Sequence, residues 1–304
     1  MCIHSFHPSD KQGYDLCSVC GTYYSHSHAE PLECYGSDYW SHDSGHSTIQ
    51  EQVYNVTQPF GNASVGKDDK VMEFVPLRGS AVLEIACVPG DLLRRLGERF
   101  DTVYGVEVDP RYERELRAVC GSKPILFFGL FPAVTAHLPD AILDCLIGLD
   151  VFEHVPDGDA FIAECLRLLK PGGTLILMSP ITYPDLVFDD NAFQPDEHIW
   201  IYSRSWIEES FSEQFRDLCF DRWLPGHEIF SCKKGHPNNG EYIILHDDEP
   251  YIRDGQQPSN HTAIAIGSEP SCPVCQTAAV VTVVKKGQAY YRCPACDCVF
   301  IPRI

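Results

Sequence analysis

Residues 83–91 read LEIACVPGD, and how that stretch is read decides the fold. "AVLEIA" (81–86) is an apolar run of strand length, interrupted by Glu84. Gly90 then precedes a helical pattern of Leu92, Leu93, Leu96 and Phe100. A buried strand that runs through a tight turn into a helix is the building unit of open α/β sheets. Ligands of such sheets sit at the carboxyl ends of the strands, where an acid closing the next strand can hold a ribose diol. "TVYGVEV" (102–108) is that next strand, and Glu107 is that acid, 17 residues after Gly90.

The turn does not match the dinucleotide fingerprint. Aligning G-x-G-x-x-G on residue 86 gives Ala86, Val88 and Asp91. Without glycine at those positions the backbone cannot approach a pyrophosphate closely. An acid, a loop and a second acid, with no phosphate cradle, suit a cofactor that carries a ribose and no phosphate.

The pattern continues outward from that corner. "PRYERELRAVC" (110–120) opens with proline at a first helical position. "ILFF" (125–128), "AILDCLIGL" (141–149) and "TLILMSP" (174–180) read as strands. "GDAFIAECLRLLK" (158–170) is an amphipathic helix with Phe161, Ile162, Cys165, Leu168 and Leu169 on one face, stopped by "PGG". This alternation predicts a Rossmann-like open α/β sheet, mostly parallel and covered on both faces. Residues 181–202 read as irregular, and Ser205 with Glu208 as a capping box for the helix "SWIEESFSEQF". "LCFDRWL" and "HEIFSCKK" flank a "PG" turn as a hairpin. The expected organisation is an N-terminal zinc-knuckle region (1–48), the α/β domain (49–235), a linker or extended arm (236–270) and a C-terminal zinc ribbon (271–304).

"VLEIACVPGDLLRRL" (82–96), "VYGVEVDP" (103–110), "LDVFEHVPD" (149–157) and "LRLLKPGGTLILMSP" (166–180) follow one another at ordinary spacing. Together they resemble class I S-adenosylmethionine-dependent methyltransferases, over about residues 71–235. The resemblance implies a seven-stranded sheet whose last strand, supplied by the closing hairpin, is antiparallel. It implies that Glu84 and the loop Ala86, Cys87 and Gly90 face the methionine end of the cofactor. Glu107 would hold the ribose, Gly129 and Leu130 would flank the adenine, Leu149 and Asp150 would line the cofactor, and Val108 would be a further cofactor contact. The chain departs from the family at Ala86 and Val88, where glycine is usual, and at Leu130, where an acid commonly stands. Val88 is the larger change, because a β-branched residue resists positive φ.

Methyl transfer is an in-line displacement in which the enzyme aligns the nucleophile and removes its proton where needed. Glu153 and His154, in "DVFEHV", and His198, in "DEHIWIYS", are the expected catalytic residues. With Asp150 they also form an acid-rich, two-histidine set with divalent-metal character, similar to that of metal-dependent O-methyltransferases.

Fifteen cysteines is a high number for a chain without a secretory pattern at its start, and points to metal binding in a reducing cytoplasm. Cys272, Cys275, Cys293 and Cys296 have C-x2-C-x17-C-x2-C spacing, the pattern of a four-thiolate zinc ribbon. Cys2, His4, Cys17 and Cys20 offer a second zinc set, with His7 as a substitute for His4. The net charge of -20 argues against a nucleic-acid partner, and no stretch approaches the roughly 20 apolar residues of a membrane helix. The expected function is cytoplasmic methyl transfer to a small molecule, such as a sugar or natural-product intermediate. The rival expectations are a degenerate domain that presents zinc ribbons to a protein partner, and a metal-dependent O-methyltransferase.

Overall fold

The computed structural model describes residues 4–26, 63–183, 192–212, 214–224, 227–235, 242–245, 280–285, 288–292 and 299–302. It divides into two compact units, Met1–Lys234 and Gly235–Ile304.

In the first unit, three short strands come first: β1 (Phe6–Pro8), β2 (Tyr14–Cys17) and β3 (Tyr23–Ser25). Helix α1 (Ala63–Phe74) leads into β4 (Gly79–Ile85), α2 (Asp91–Leu96) and β5 (Phe100–Glu107). Next come α3 (Glu113–Cys120), β6 (Ile125–Phe128), β7 (Leu143–Leu149), α4 (Gly158–Leu168) and β8 (Leu169–Thr182). The unit closes with β9 (Trp200–Ser203), α5 (Arg204–Ser212) and the hairpin β10 (Phe215–Leu224) and β11 (His227–Lys234).

The sheet runs β1-β2-β3-β9-β8-β7-β4-β5-β6, with β11 also paired to β8 and β10 to β11. Strands β4 to β8 pair in parallel, and β11 is antiparallel to both β8 and β10. Alternate residues feed two cores on opposite faces, as the period of two requires. Leu83, Leu146 and Leu177 pack with Phe161 and Leu166 of α4 and Phe211 of α5. Val82, Cys145 and Ile147 pack with Val71 and Met72 of α1, Leu93 of α2 and Leu116 of α3. Burying a Leu, Ile or Phe of this kind contributes about 1.5–3 kcal/mol. Gly105 lets the layers close: a Cβ there would lie 2.9 Å from side-chain carbons of both Leu93 and Leu126.

The structure moves several expected boundaries. Phe100 opens β5 rather than ending the preceding helix. Asp109 caps a 3-10 turn, Pro110–Tyr112, before α3 begins. Ser205 does not cap its helix: α5 starts at Arg204, and the Ser203 hydroxyl accepts the Trp206 N–H at 3.1 Å. Glu208 bonds Arg204 instead of reaching back to a cap. Residues 181–182 extend β8 and residues 200–203 form β9, so the expected irregular segment is shorter at both ends. Residues 4–26 are joined to the main sheet through β3 and β9, within one compact unit.

In the second unit, β12 (Tyr242–Leu245) pairs with β15 (Val299–Pro302), and β13 (Val280–Lys285) forms a hairpin with β14 (Gln288–Arg292). The expected arm therefore contributes a strand to the sheet that holds the expected ribbon hairpin. Cys272, Cys275, Cys293 and Cys296 lie outside the described residues, as does Cys2.

Candidate active site

The carboxyl ends of β4, β5, β6 and β7 open into a cavity of about 840 Å³. The first two of these strands carry acids at or next to their ends, Glu84 and Glu107. Glu84 is 5% exposed, and its Oε2 has no hydrogen-bond partner. Burial, then the charge of Asp68, pushes its carboxyl well above the ordinary range. Glu107 accepts the Asp109 N–H at 3.2 Å. Burial raises it to about 7, against the N–H groups of Asp109, Val108 and Val88.

Between these acids lies the turn 86–90. Its positive φ values fall on Ala86 (57°) and Gly90 (102°), not on Val88. A Cβ at Gly90 would stand 2.8 Å from Leu116, so this glycine is required by both φ and space. The expected conflict at Val88 is therefore absent, because the left-handed position lies two residues earlier, on a small side chain.

The far wall comes from β7 and the segment before β9. Asp150 leaves β7 with φ 51° and accepts a hydrogen bond from Lys67 of α1 at 2.9 Å. Glu153 is almost fully buried and takes the Ser179 hydroxyl at 3.0 Å. Burial, then Asp150, raises its carboxyl to about 8. His154 Nδ1 lies 2.9 Å from the Glu197 carbonyl, and His198 Nδ1 lies 2.8 Å from the Ala192 carbonyl. A carbonyl only accepts, so each Nδ1 carries a proton, and in a neutral His198 ring Nε2 is the acceptor. Burial lowers the His198 imidazole, which favours that neutral form. Ligand atoms of Glu153, His154 and His198 lie within 4.8 Å of one another.

All ten expected cofactor residues line this one cavity: Glu84, Ala86, Cys87, Gly90, Glu107, Val108, Gly129, Leu130, Leu149 and Asp150. Glu153, His154 and His198 line it too. Sequence reasoning missed Lys67, Asp68, Phe131, Gln194 and His227, which also face it. Lys67 had a signal. It stands four residues before Val71, on the stripe that α1 buries. His227 had none, since its place depends on the pairing of β11 with Pro180 of β8.

A second cluster lies in the N-terminal strands. Ligand atoms of His4, Cys17 and Cys20 also lie within 4.8 Å of one another. Burial pushes the Cys17 thiol up, but N–H groups of Cys20, Ser5 and Val19 and the His4 side chain outweigh it and bring it to about 6.

A family model described as a methyltransferase domain matches residues 83–177. An uncharacterized methyltransferase of Geobacillus sp. (strain WCH70) is 32% identical over 177 residues, covering 57% of this chain and 75% of that protein. An uncharacterized methyltransferase of Mycobacterium bovis is 30% identical over 127 residues, covering 42% of this chain. The chain spans 64% of the length of that relative. Phosphoethanolamine N-methyltransferase 2 of Haemonchus contortus, solved with S-adenosyl-L-methionine, aligns with a TM-score of 0.54 at 14% identity, over 70% of this chain and 62% of that one. That is a likeness of fold. The sheet order and the position of its antiparallel strand define a Rossmann-like methyltransferase fold. The chain belongs to the class I S-adenosylmethionine-dependent methyltransferase family.

Proposed function

We propose that this protein transfers a methyl group from S-adenosylmethionine to a small-molecule acceptor. The observation that carries this reading is the buried, unpartnered Glu84 oxygen in a cavity also walled by Glu107 and the turn 86–90. Buried carboxyl oxygens without partners are costly, so such a group calls for a donor from a ligand. The cofactor's ammonium and ribose hydroxyls are donors of that kind, and its sulfonium adds positive charge to an acidic pocket. The donor set fits: Glu84 would face the ammonium and Glu107 the ribose diol, in a cavity that Lys67, held by Asp150, also lines. When bound, the cofactor supplies an electrophilic methyl on a good leaving group.

His198 is the proposed base, with His154 beside it, ring centroids 4.8 Å apart. Its Nε2 would accept the acceptor's proton as the nucleophile advances in line. Burial, then Asp150, pushes the Glu153 carboxyl up toward its protonated form, in which it would hydrogen-bond the acceptor. A volume of about 840 Å³ stands near the upper end of the roughly 300–1,000 Å³ of small-molecule sites. It accommodates a cofactor and a compact polar acceptor, such as a sugar or natural-product intermediate. The buried thiols of Cys87, Cys120, Cys145, Cys165 and Cys232 support a reducing, cytoplasmic setting. Among the described residues no helix is long and apolar enough to cross a membrane.

Zinc is proposed at both ends of the chain. At the N-terminus, His4, Cys17 and Cys20 form a thiolate–imidazole set that suits zinc, and the sequence offers Cys2, outside the described residues, as a fourth donor. At the C-terminus, the proposal rests on the spacing of Cys272, Cys275, Cys293 and Cys296. A ribbon there would offer a surface to a protein partner.

Calorimetry with S-adenosylhomocysteine tests the main reading. Folded, zinc-loaded protein is expected to bind it, and Glu107→Ala to weaken binding at least about tenfold, the scale of a lost charge-assisted hydrogen bond. No binding by the folded wild type would favour the non-catalytic scaffold. The convergence of Glu153, His154 and His198 supports a second reading, a metal-assisted O-methyltransferase. It predicts that magnesium or manganese restores activity after chelation, and that His154→Ala abolishes the restoration.

A further inference from the structure

The segment that carries His198 is bonded to elements outside it as well as to itself. Between residue 192 and the start of β9, the backbone bonds within the segment are those from the Glu197 and His198 N–H groups to the Gln194 carbonyl. Backbone polar groups at a buried wall need partners, so the groups that supply them set the path of the chain. Four carbonyls in a span of five residues find partners outside the segment. The Ser25 hydroxyl donates to Pro195 O at 2.6 Å, His154 Nδ1 to Glu197 O at 2.9 Å, the Tyr14 hydroxyl to His198 O at 2.9 Å, and the Ser25 N–H to Ile199 O at 2.9 Å. Three of these four come from the N-terminal strands.

The same strands also hold β9 and the start of α5. Tyr23 and Tyr24 of β3 pair with Ile201 and Trp200 of β9. Ser205, in the first turn of α5, donates to the carbonyl of Cys20 at 3.0 Å. The His4 ring lies 6.0 Å from Trp200 and 6.5 Å from Trp206, centroid to centroid. The strands β1, β2 and β3 contain three, four and three residues, too few to build a core of their own. A unit of that size commonly depends on a metal for its stability.

We propose that zinc in the His4–Cys17–Cys20 knuckle clamps the wall of the active-site cavity. In this role the knuckle sets the position of His198 without touching a reacting atom, and Tyr14 is the positioning residue that connects them. The proposal rests on the methyltransferase reading for the meaning of His198, but not for the clamp itself. The cofactor side of the cavity, on β4 and β5, is built from other elements. Zinc occupancy therefore governs the acceptor side and leaves the cofactor side alone.

The test uses the full chain in two arms. In the first, amide hydrogen exchange is followed with zinc bound and after chelation. Faster exchange is expected over 14–25 and 192–203, with 81–86 and 103–107 unchanged and S-adenosylhomocysteine affinity kept within about twofold. In the second, Tyr14→Phe removes one hydroxyl and no metal ligand. It should retain zinc and cofactor affinity, speed exchange at 195–199, and shift the ring NMR signals of His198, assigned with His198→Gln. Turnover should fall about tenfold at an unchanged cofactor KM, the scale expected for a displaced catalytic group. Unchanged exchange over 192–203 after zinc removal would overturn the clamp, and so would His198 signals unmoved in Tyr14→Phe. Wild-type protein that shows the exchange effect but binds no S-adenosylhomocysteine would defeat the methyltransferase reading and leave the clamp standing.

Discussion

At the scale of single residues, Ala86 is where the turn departs most from ease. Its φ of 57° lies in the left-handed region. That conformation costs an L-residue roughly 1–2 kcal/mol. Glycine relieves this and gives back roughly half to one kcal/mol through the entropy of its unfolded chain. Ala86→Gly is therefore expected to raise stability by about 0.5–1 kcal/mol, read as an upward shift of the urea midpoint at constant slope. A downward shift would mean that the alanine methyl makes a contact worth more than the strain. Glu84 is the contrasting residue. Its buried, unpartnered oxygen is a local defect in the cofactor-free protein. Glu84→Gln should leave the fold intact or improve it, and weaken S-adenosylhomocysteine binding by about tenfold in calorimetry.

At the scale of elements, the parallel core was legible because each strand and helix carries its own period. Leu83 against Val82, and Leu177 against Ile176, sort to opposite faces as alternation demands. Helix α4 buries Phe161, Ile162, Cys165 and Leu168, four of the five residues its pattern marks. The acids Glu84 and Glu107 that line the cavity were legible for the same reason, since strand ends can be counted. The parts that were not legible depend on partners distant in sequence. Ser203 and Ser205 are both plausible caps by composition. Ser203 prevails because β9 extends to it and buries it beside Thr22, whose hydroxyl accepts the Ser203 N–H at 3.1 Å. Likewise, the three N-terminal strands show little period of their own, and their place comes from pairing with β9. Loss of an N-cap costs about 0.5–2 kcal/mol. Ser203→Ala should destabilise the protein by about 1–2 kcal/mol in urea melts, and Ser205→Ala by less. The reverse order would restore the cap to Ser205.

At the scale of the whole molecule, a net charge of -20 concentrates its consequences in the cavity. Glu84, Glu107, Asp68 and Asp91 all face it, with Lys67 held by Asp150. Burial, then Asp91, raises Asp68 to about 7, and burial raises Glu107 from 4.5 to about 7. These raised values set the sign of the pH effect. Between their unfolded and folded values these acids bind more protons in the folded chain than in the unfolded one, so they make stability fall as pH rises toward 7. Above about 7 they are ionised in the folded protein, and their mutual repulsion is fully present. Buried His198 acts in the opposite sense, because its lowered value makes stability fall as pH drops below its unfolded value. A cationic ligand reverses the first effect. Its charge favours the ionised acids and lowers their values, so binding at neutral pH must release protons. Affinity for S-adenosylmethionine should therefore rise from roughly pH 6 to roughly pH 8 and then level off. Calorimetry in buffers of different ionisation enthalpy would read the released protons directly. An affinity that is flat over that range, with no proton release, would mean that the cofactor's positive charge lies away from these acids.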